Sequence, residues 1–188
     1  MRESGAPTRP GRGLLDRFAS LARGLLRLPR AGAYVVAVGW MGLITWFSSW
    51  PSQGVAAFRA TALITNLGHA PLFGLLGLWL ALTRPRPDGW PRLDRAARLR
   101  LVALVAVLGV VDELHQHLAG RGRDFSLFDV VTDATGAWCL LAVAAYVRRD
   151  DASEWGLVAR LGAGVLACYA AALAATWGPR VWPTLTRL

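Results

Sequence analysis

Four carboxylates lie inside the long apolar stretches of this chain, where charge is costly. They are Asp112, Glu113, Asp129 and Asp133. A carboxylate at the centre of a bilayer costs about 2.5–3.5 kcal/mol on insertion scales, so such residues mark functional sites. A histidine, His69, lies in a further apolar stretch. Together these side chains offer a proton donor and acceptor and the oxygen ligands that suit Mg²⁺ or Ca²⁺.

Helical spacing arranges several of these residues in pairs. Asp112 and Gln116 are four residues apart, and so are Asp129 and Asp133. Residues at this spacing lie on one face of a helix. Each pair is therefore expected to point into the same environment.

A short segment joins the two acidic stretches. Residues 119–127 read AGRGRDFSL, which predicts a tight hairpin that carries Arg121 and Arg123 above the carboxylates. Arginine binds phosphate through two parallel hydrogen bonds. Ser126 is the predicted N-cap of the helix that follows, and Asp129 in its first turn favours the same helix start.

The elements that position these residues are predicted to be membrane spans. Of the 188 residues, 54% are hydrophobic, and the mean hydropathy is +0.37. A soluble domain has a smaller apolar fraction and more charge. The apolar residues also come in long blocks rather than in alternation. The predicted fold is an all-α membrane bundle with the lipid bilayer as its main partner.

Five spans are predicted, each close to the roughly 20 residues that cross a bilayer core. They cover about residues 31–50, 61–83, 101–118, 127–147 and 155–177. The third span has only eleven uninterrupted apolar residues, 101–111. Because this is too short to cross the core, its outer part is expected to line a polar pocket.

The spans divide the chain into three predicted parts. Residues 1–30 form a basic cytoplasmic arm, in which 14–28 is an amphipathic helix lying on the membrane. Residues 31–150 form the transmembrane core. Residues 151–188 add a C-terminal transmembrane helix and tail.

The distribution of arginine predicts the orientation. All 21 basic residues are Arg. The N-terminal arm and the loops after the second and fourth spans carry fifteen of them, the remaining loops and tail carry five, and Arg160 lies about one turn into the fifth span. The positive-inside rule places the N-terminus in the cytoplasm and the C-terminus outside. Arginine beside apolar spans sets topology and contacts anionic lipid, so nucleic-acid binding is not expected. A Lys-free chain rich in Ala, Leu, Gly and Val is typical of a GC-rich bacterium, and the predicted location is the bacterial cytoplasmic membrane.

Helical rise predicts a shared depth for the polar residues. Counted from the arginines at the cytoplasmic span ends, four groups fall about 18–22 Å up, and these are His69, Asp112, Glu113 and Asp133. Asp129 falls higher, at about 28 Å. Since the hydrocarbon core is about 30 Å thick, three helices bring ionisable groups to one level in its outer half.

The same residues carry a resemblance to a known family, the VanZ-like proteins. Its signature is similar to Asp112-Glu113-Leu114-His115-Gln116, Gly120-Arg121, Arg123, Ser126-Leu127-Phe128-Asp129-Val130 and Asp133 to Gly136. The stretch Asn66 to His69, followed by Phe73 and Leu76, resembles the family's second-helix histidine motif. Phe47-Ser48-Ser49 matches its Ser-Ser feature. The resemblance covers about residues 34–147.

The resemblance implies a four-helix core, with the fifth span outside it. It also implies a role in the cell envelope and a link to resistance to the glycopeptide teicoplanin, without a defined reaction. Two positions depart from the family pattern. Asn66 stands where many members carry Lys, and Asp133 where Asn is common, and both changes make the pocket more negative.

The first hypothesis is recognition of, or chemistry on, a lipid-linked or glycopeptide ligand in the outer leaflet. The catalytic candidates are His69, Asp112 and Glu113. The ligand-binding candidates are Gln116, Arg121, Arg123, Asp129 and Asp133. The predicted ligands for a divalent cation are Asp112, Glu113 and Asp133. No Walker-type loop or serine nucleophile motif is present, so the sequence leaves open whether the site is catalytic.

Two other hypotheses remain open. In the first, the His and carboxylates relay protons or a cation in a small transporter. In the second, the polar residues form an ion-pair network that fixes helix packing, for example Glu113 with Arg123 or Asp129 with Arg121.

Overall fold

Six helices and no strand make up the part of the chain that the computed structural model describes, residues 13–49, 59–87, 89–119 and 125–181. The helices are α1 (Leu14–Leu26), α2 (Arg30–Ser48), α3 (Arg59–Leu82), α4 (Arg95–Leu118), α5 (Leu127–Val147) and α6 (Glu154–Val181). The all-α prediction is confirmed. The predicted amphipathic helix corresponds to α1.

Four of these helices, α2, α3, α5 and α6, are long and apolar enough to cross a membrane. They correspond to four of the five predicted spans. The predicted span 101–118 lies in α4, which has 24 residues but a different composition. Its first turns carry three arginines and its last turns carry most of the polar residues of interest, so it does not share the apolar character of the others.

Helices α3 and α5 pack closely and run in the same direction. Ala70 of α3 lies against Gly136 of α5, and Gly74, one turn on, lies against Leu140. A Cβ atom at Gly136 would collide with the carbonyl oxygen of Ala70, so only glycine permits this approach. The closeness of the two backbones is what allows short polar side chains to meet across the interface.

Helix α4 runs antiparallel to α5 along most of its length. Gly109 lies against Asp133, and Glu113, one turn later in α4, contacts Ser126 at the start of α5. Leu101, near the other end of α4, packs in one cluster with Leu141 of α5.

The remaining helices also run antiparallel to their neighbours. In α2, Arg30 donates to the carbonyl of Thr83 at the end of α3. Trp40, further along α2, donates to the carbonyl of Leu72 in the middle of α3. Helix α6 packs on α3 and α5, and Gly164 contacts Cys139. The bundle from α2 to α6 therefore alternates in direction at each step.

The two ends of the bundle differ in charge. At one end, the Arg86 guanidinium donates to the carbonyls of Leu26, the last residue of α1, and Leu28, at 3.0 and 2.9 Å. In the loop after α5, the Arg149 guanidinium contacts Asp151 and lowers the pKa of that carboxyl. The carboxylates of α4 and α5 lie at the opposite end. Between the two ends, an apolar core joins α2, α3, α4 and α5 through Ile44, Phe73, Leu76, Val105 and Ala137.

Candidate functional site

His69 and Asp133 form a buried pair between α3 and α5. His69 Nδ1 lies 3.0 Å from Asp133 Oδ1, and the two residues are 9% and 1% exposed. The imidazole stacks on Phe73, with the ring planes 3° apart and the centroids at 6.1 Å. Because one nitrogen is bonded to a carboxylate and one face is covered, the ring has a fixed orientation and the other nitrogen, Nε2, remains for chemistry.

Asp112 is held at the junction of α2 and α4. Its Oδ2 accepts hydrogen bonds from Ser48 Oγ at 2.7 Å and from Gln116 Nε2 at 2.8 Å. Asp112 is only 2% exposed. Beside it, Ser49 Oγ lies 3.2 Å from His115 Nε2. The i, i+4 pairing predicted for Asp112 and Gln116 is thus present as a hydrogen bond.

Glu113 connects α4 to the start of α5. Its Oε2 accepts a hydrogen bond from the backbone N–H of Ser126 at 2.8 Å. Ser126 Oγ in turn accepts from the N–H of Asp129 at 3.2 Å, so the predicted N-cap is confirmed. Buried Glu113 therefore also takes part in capping α5.

His69, Glu113 and Asp129 converge closely enough to share an ion. One ligand atom from each lies within 4.8 Å of the others. The cation set predicted from sequence was Asp112, Glu113 and Asp133, and it has only Glu113 in common with this group. The depth count placed Asp129 above the other groups, yet its carboxylate reaches them.

Three carboxylate oxygens in the cluster are buried and have no hydrogen-bond partner within the described ranges. They are Asp112 Oδ1, Asp129 Oδ1 and Asp133 Oδ2. Buried polar atoms are nearly always paired, and leaving one unpaired costs about 1–3 kcal/mol, more when it is charged. Three such atoms in one cluster point to a ligand that supplies positive charge or hydrogen-bond donors.

An apolar groove lies beside the cluster, between α3, α5 and α6. It has a volume of about 540 Å³ and continues to Leu161 and Arg160 of α6. Ala70 and Gly136 line it, and these residues lie one and three positions after His69 and Asp133. The polar cluster and the groove thus occupy neighbouring faces of the same two helices.

Three residues highlighted by the sequence are not part of the cluster that the structure describes. Asn66 donates to Thr176 Oγ1 of α6 at 3.0 Å, so it fixes the contact between α3 and α6. Arg121 and Arg123 lie outside the described residues. Ser48, which holds Asp112, was indicated only by the Ser-Ser feature of the family resemblance.

The arrangement provides a fixed imidazole, a carboxylate network and unpaired buried oxygens at one end of an apolar bundle. Such a site suits a cation or a ligand rich in donors, and His69 can exchange a proton. No family model, no curated protein and no solved structure matches this chain.

Proposed function

We propose that this chain is a VanZ-like integral membrane protein of the bacterial cell envelope that binds the head of a lipid-linked ligand in an outward-facing pocket. The observation that carries the proposal is the position of the polar cluster next to an apolar groove. A ligand with a polar head and a long apolar tail requires both surfaces side by side.

The tail is assigned to the groove between α3, α5 and α6. Its wall is almost entirely apolar, and it starts at Leu67, two residues before His69. A prenyl or acyl chain in this groove stays in contact with the surrounding lipid, because the groove is open on one side. This geometry favours a lipid-linked ligand over the glycopeptide that the family resemblance also implies.

The head is assigned to the carboxylates and to the two arginines of the segment 119–127, which the sequence predicts to lie close to them. Sugar or peptide donors of an envelope precursor satisfy unpaired oxygens such as Asp112 Oδ1. Arg121 and Arg123 are the proposed partners of its phosphate.

The proposed topology has five crossings, with α4 as the third. Helices α3 and α5 run in the same direction, so the chain must return across the membrane between them. In the described part of the chain, α4 is the helix that joins them, and it lies antiparallel to α5. Its side chains Asp112, Glu113 and Gln116 face the bundle, where intramembrane charge is tolerated. With the arginine-rich end in the cytoplasm, the N-terminus lies inside and the C-terminus outside.

The test measures the melting temperature of the detergent-purified protein with three probes. These are a polyprenyl phosphate, the same polyprenol without phosphate, and inorganic phosphate. A ligand at 100 times its Kd stabilises the native state by about 2.7 kcal/mol. Polyprenyl phosphate is expected to raise Tm most, polyprenol less, and inorganic phosphate not at all. Equal responses to the two lipids, or none, contradict the proposal.

A second candidate role is helix packing, and one observation favours it. Three polar contacts of the cluster join residues of different helices or their caps, and these are Ser48 with Asp112, His69 with Asp133, and Glu113 with Ser126. Buried polar networks can fix a unique helix arrangement.

Asp112→Asn separates the two roles. The amide oxygen of Asn still accepts from Ser48 and Gln116, whereas the negative charge is lost. If lipid binding is lost while expression and Tm remain at the wild-type level, the packing role is rejected. If Tm falls and lipid binding by the folded fraction is unchanged, the ligand role is rejected.

A further inference from the structure

Three side chains from three helices place nitrogen and oxygen ligands around one point. His69 comes from α3, Glu113 from α4 and Asp129 from α5, with ligand atoms within 4.8 Å of one another. We propose that these three residues bind a zinc-class divalent ion, and that Asp133 positions His69 for this role. The inference builds on the proposed pocket, but the ion site can be tested without any lipid.

The contact between His69 and Asp133 fixes which nitrogen is free. Asp133 Oδ1 lies 3.0 Å from Nδ1, so in the neutral imidazole Nδ1 carries the proton that this carboxylate accepts and Nε2 keeps its lone pair. Histidines that bind metals commonly donate their second N–H to a carboxylate, which sets the tautomer and increases ligand basicity. Asp133 already stands in this position.

A separate observation also points to a ligand at this place. Asp133 Oδ2 is buried, has no hydrogen-bond partner, and faces Gly109 of α4. Gly109 lies one turn before Glu113, on the same face of α4. The unpaired oxygen of a residue that is 1% exposed is therefore directed at the helix face that supplies one of the three ligands.

The mixed ligand set indicates the class of ion. Mg²⁺ and Ca²⁺ prefer oxygen ligands alone, whereas imidazole favours zinc and neighbouring transition metals. Three protein ligands also leave at least one coordination position for water or for a ligand atom. The positive ion reduces the cost of burying Glu113 and Asp129 in the bundle.

The experiment uses the full chain in detergent, stripped with EDTA and then dialysed against Zn²⁺. Elemental analysis is expected to give about one zinc per chain, and titration gives the Kd. Co²⁺ in place of Zn²⁺ is expected to give visible absorption bands typical of low coordination number, which Zn²⁺ removes by displacement. These readings on the wild-type chain do not depend on the folding of any variant.

Substitutions then identify the ligands. His69→Gln, Glu113→Gln and Asp129→Asn are each expected to raise the Kd for Zn²⁺ by tenfold or more. Asp133→Asn is expected to raise it by about 10–100-fold and to shift the Co²⁺ bands, because it acts through His69. His117→Gln is the matched control, since His117 is an exposed histidine on α4 and is expected to leave the Kd unchanged.

Several results would overturn the inference. The first is a wild-type chain that binds no stoichiometric zinc. The second is zinc binding that is lost in His117→Gln but kept in His69→Gln. The third is tighter binding of Mg²⁺ than of Zn²⁺. Zinc binding without any response to polyprenyl phosphate supports the ion site and rejects the proposed lipid ligand. A lipid response in metal-free protein that binds no zinc rejects the ion site alone.

Discussion

Asp133 Oδ1 reaches His69 Nδ1 at 3.0 Å because Gly136, one turn later in α5, lets the helix approach the backbone of α3. Two packed helices usually lie about 8–10 Å apart between their axes. The side chains of His69 and Asp133 are short compared with this distance, so they meet only where the helices approach closely. The glycine contact therefore sets the geometry of the polar pair.

Gly136→Ala is expected to lower the free energy of unfolding by about 1–3 kcal/mol, the usual cost of overpacking. The added Cβ collides with the Ala70 carbonyl oxygen, which is backbone and cannot rotate away. Chemical unfolding in detergent measures the effect. Gly162→Ala on α6 is the control, because no atom lies within 4 Å of a Cβ there. If the two variants are equally stable, α3 and α5 lie further apart at Gly136 than the described contact with Ala70.

Gly109→Ala is expected to weaken zinc binding without a large loss of stability. A Cβ at this position lies 2.6 Å from Asp133 Oδ2, so the carboxylate tip must move and its bond to His69 is strained. We expect a rise of about tenfold in the Kd for Zn²⁺, as for other changes behind a metal ligand. Gly39→Ala on α2, where a Cβ has open space, serves as the control. An unchanged Kd for Gly109→Ala would argue against a positioning role for Asp133.

Val165→Trp is expected to reduce binding of polyprenyl phosphate by at least tenfold. Val165 lines the groove and is 68% exposed, so the larger ring fills the groove without disturbing the protein interior. Val158→Trp is the matched control, since Val158 lies on the same helix, is 46% exposed and does not line the groove. Lipid titration monitored by Tm measures both variants. If the two substitutions behave alike, the tail does not bind in the groove.

A C-terminal fusion tests the number of crossings. Alkaline phosphatase, which is active only outside the cytoplasm, is expected to be active at the C-terminus, and green fluorescent protein there is expected to be dark. Five crossings place the termini on opposite sides, whereas four place them on the same side. A fluorescent C-terminal fusion would mean that α4 does not cross.

Hydropathy predicted most of the architecture because it reports contact with lipid. The apolar blocks predicted the positions of α2, α3, α5 and α6, with ends that agree to within a few residues. The predicted span 101–118 covers only part of α4, which begins at Arg95 because Asp94 Oδ1 accepts from the Ala97 N–H at 2.7 Å and caps the helix. Apolar length does not detect a helix whose first turns are charged.

The depths counted from helical rise predicted that the polar residues lie at one end of the bundle. They did not predict which of these residues contact one another. Contacts such as Asp133 with His69 depend on the rotation of each helix about its axis. This rotation follows from small-residue packing, for example Gly136 against Ala70, and not from hydropathy. For the same reason the sequence did not identify Asp129 as a neighbour of His69 and Glu113.

The polarity of α4 has a consequence for how the protein enters the membrane. A helix that ends in Asp112, Glu113 and Gln116 does not partition into lipid by itself, since each acidic residue opposes insertion by up to a few kcal/mol. Its antiparallel neighbour α5 is apolar and provides the N–H of Ser126 for Glu113. For the five-crossing topology proposed above, we expect α4 to insert together with α5 as an antiparallel pair, so that during biosynthesis it waits until the ribosome has released its partner.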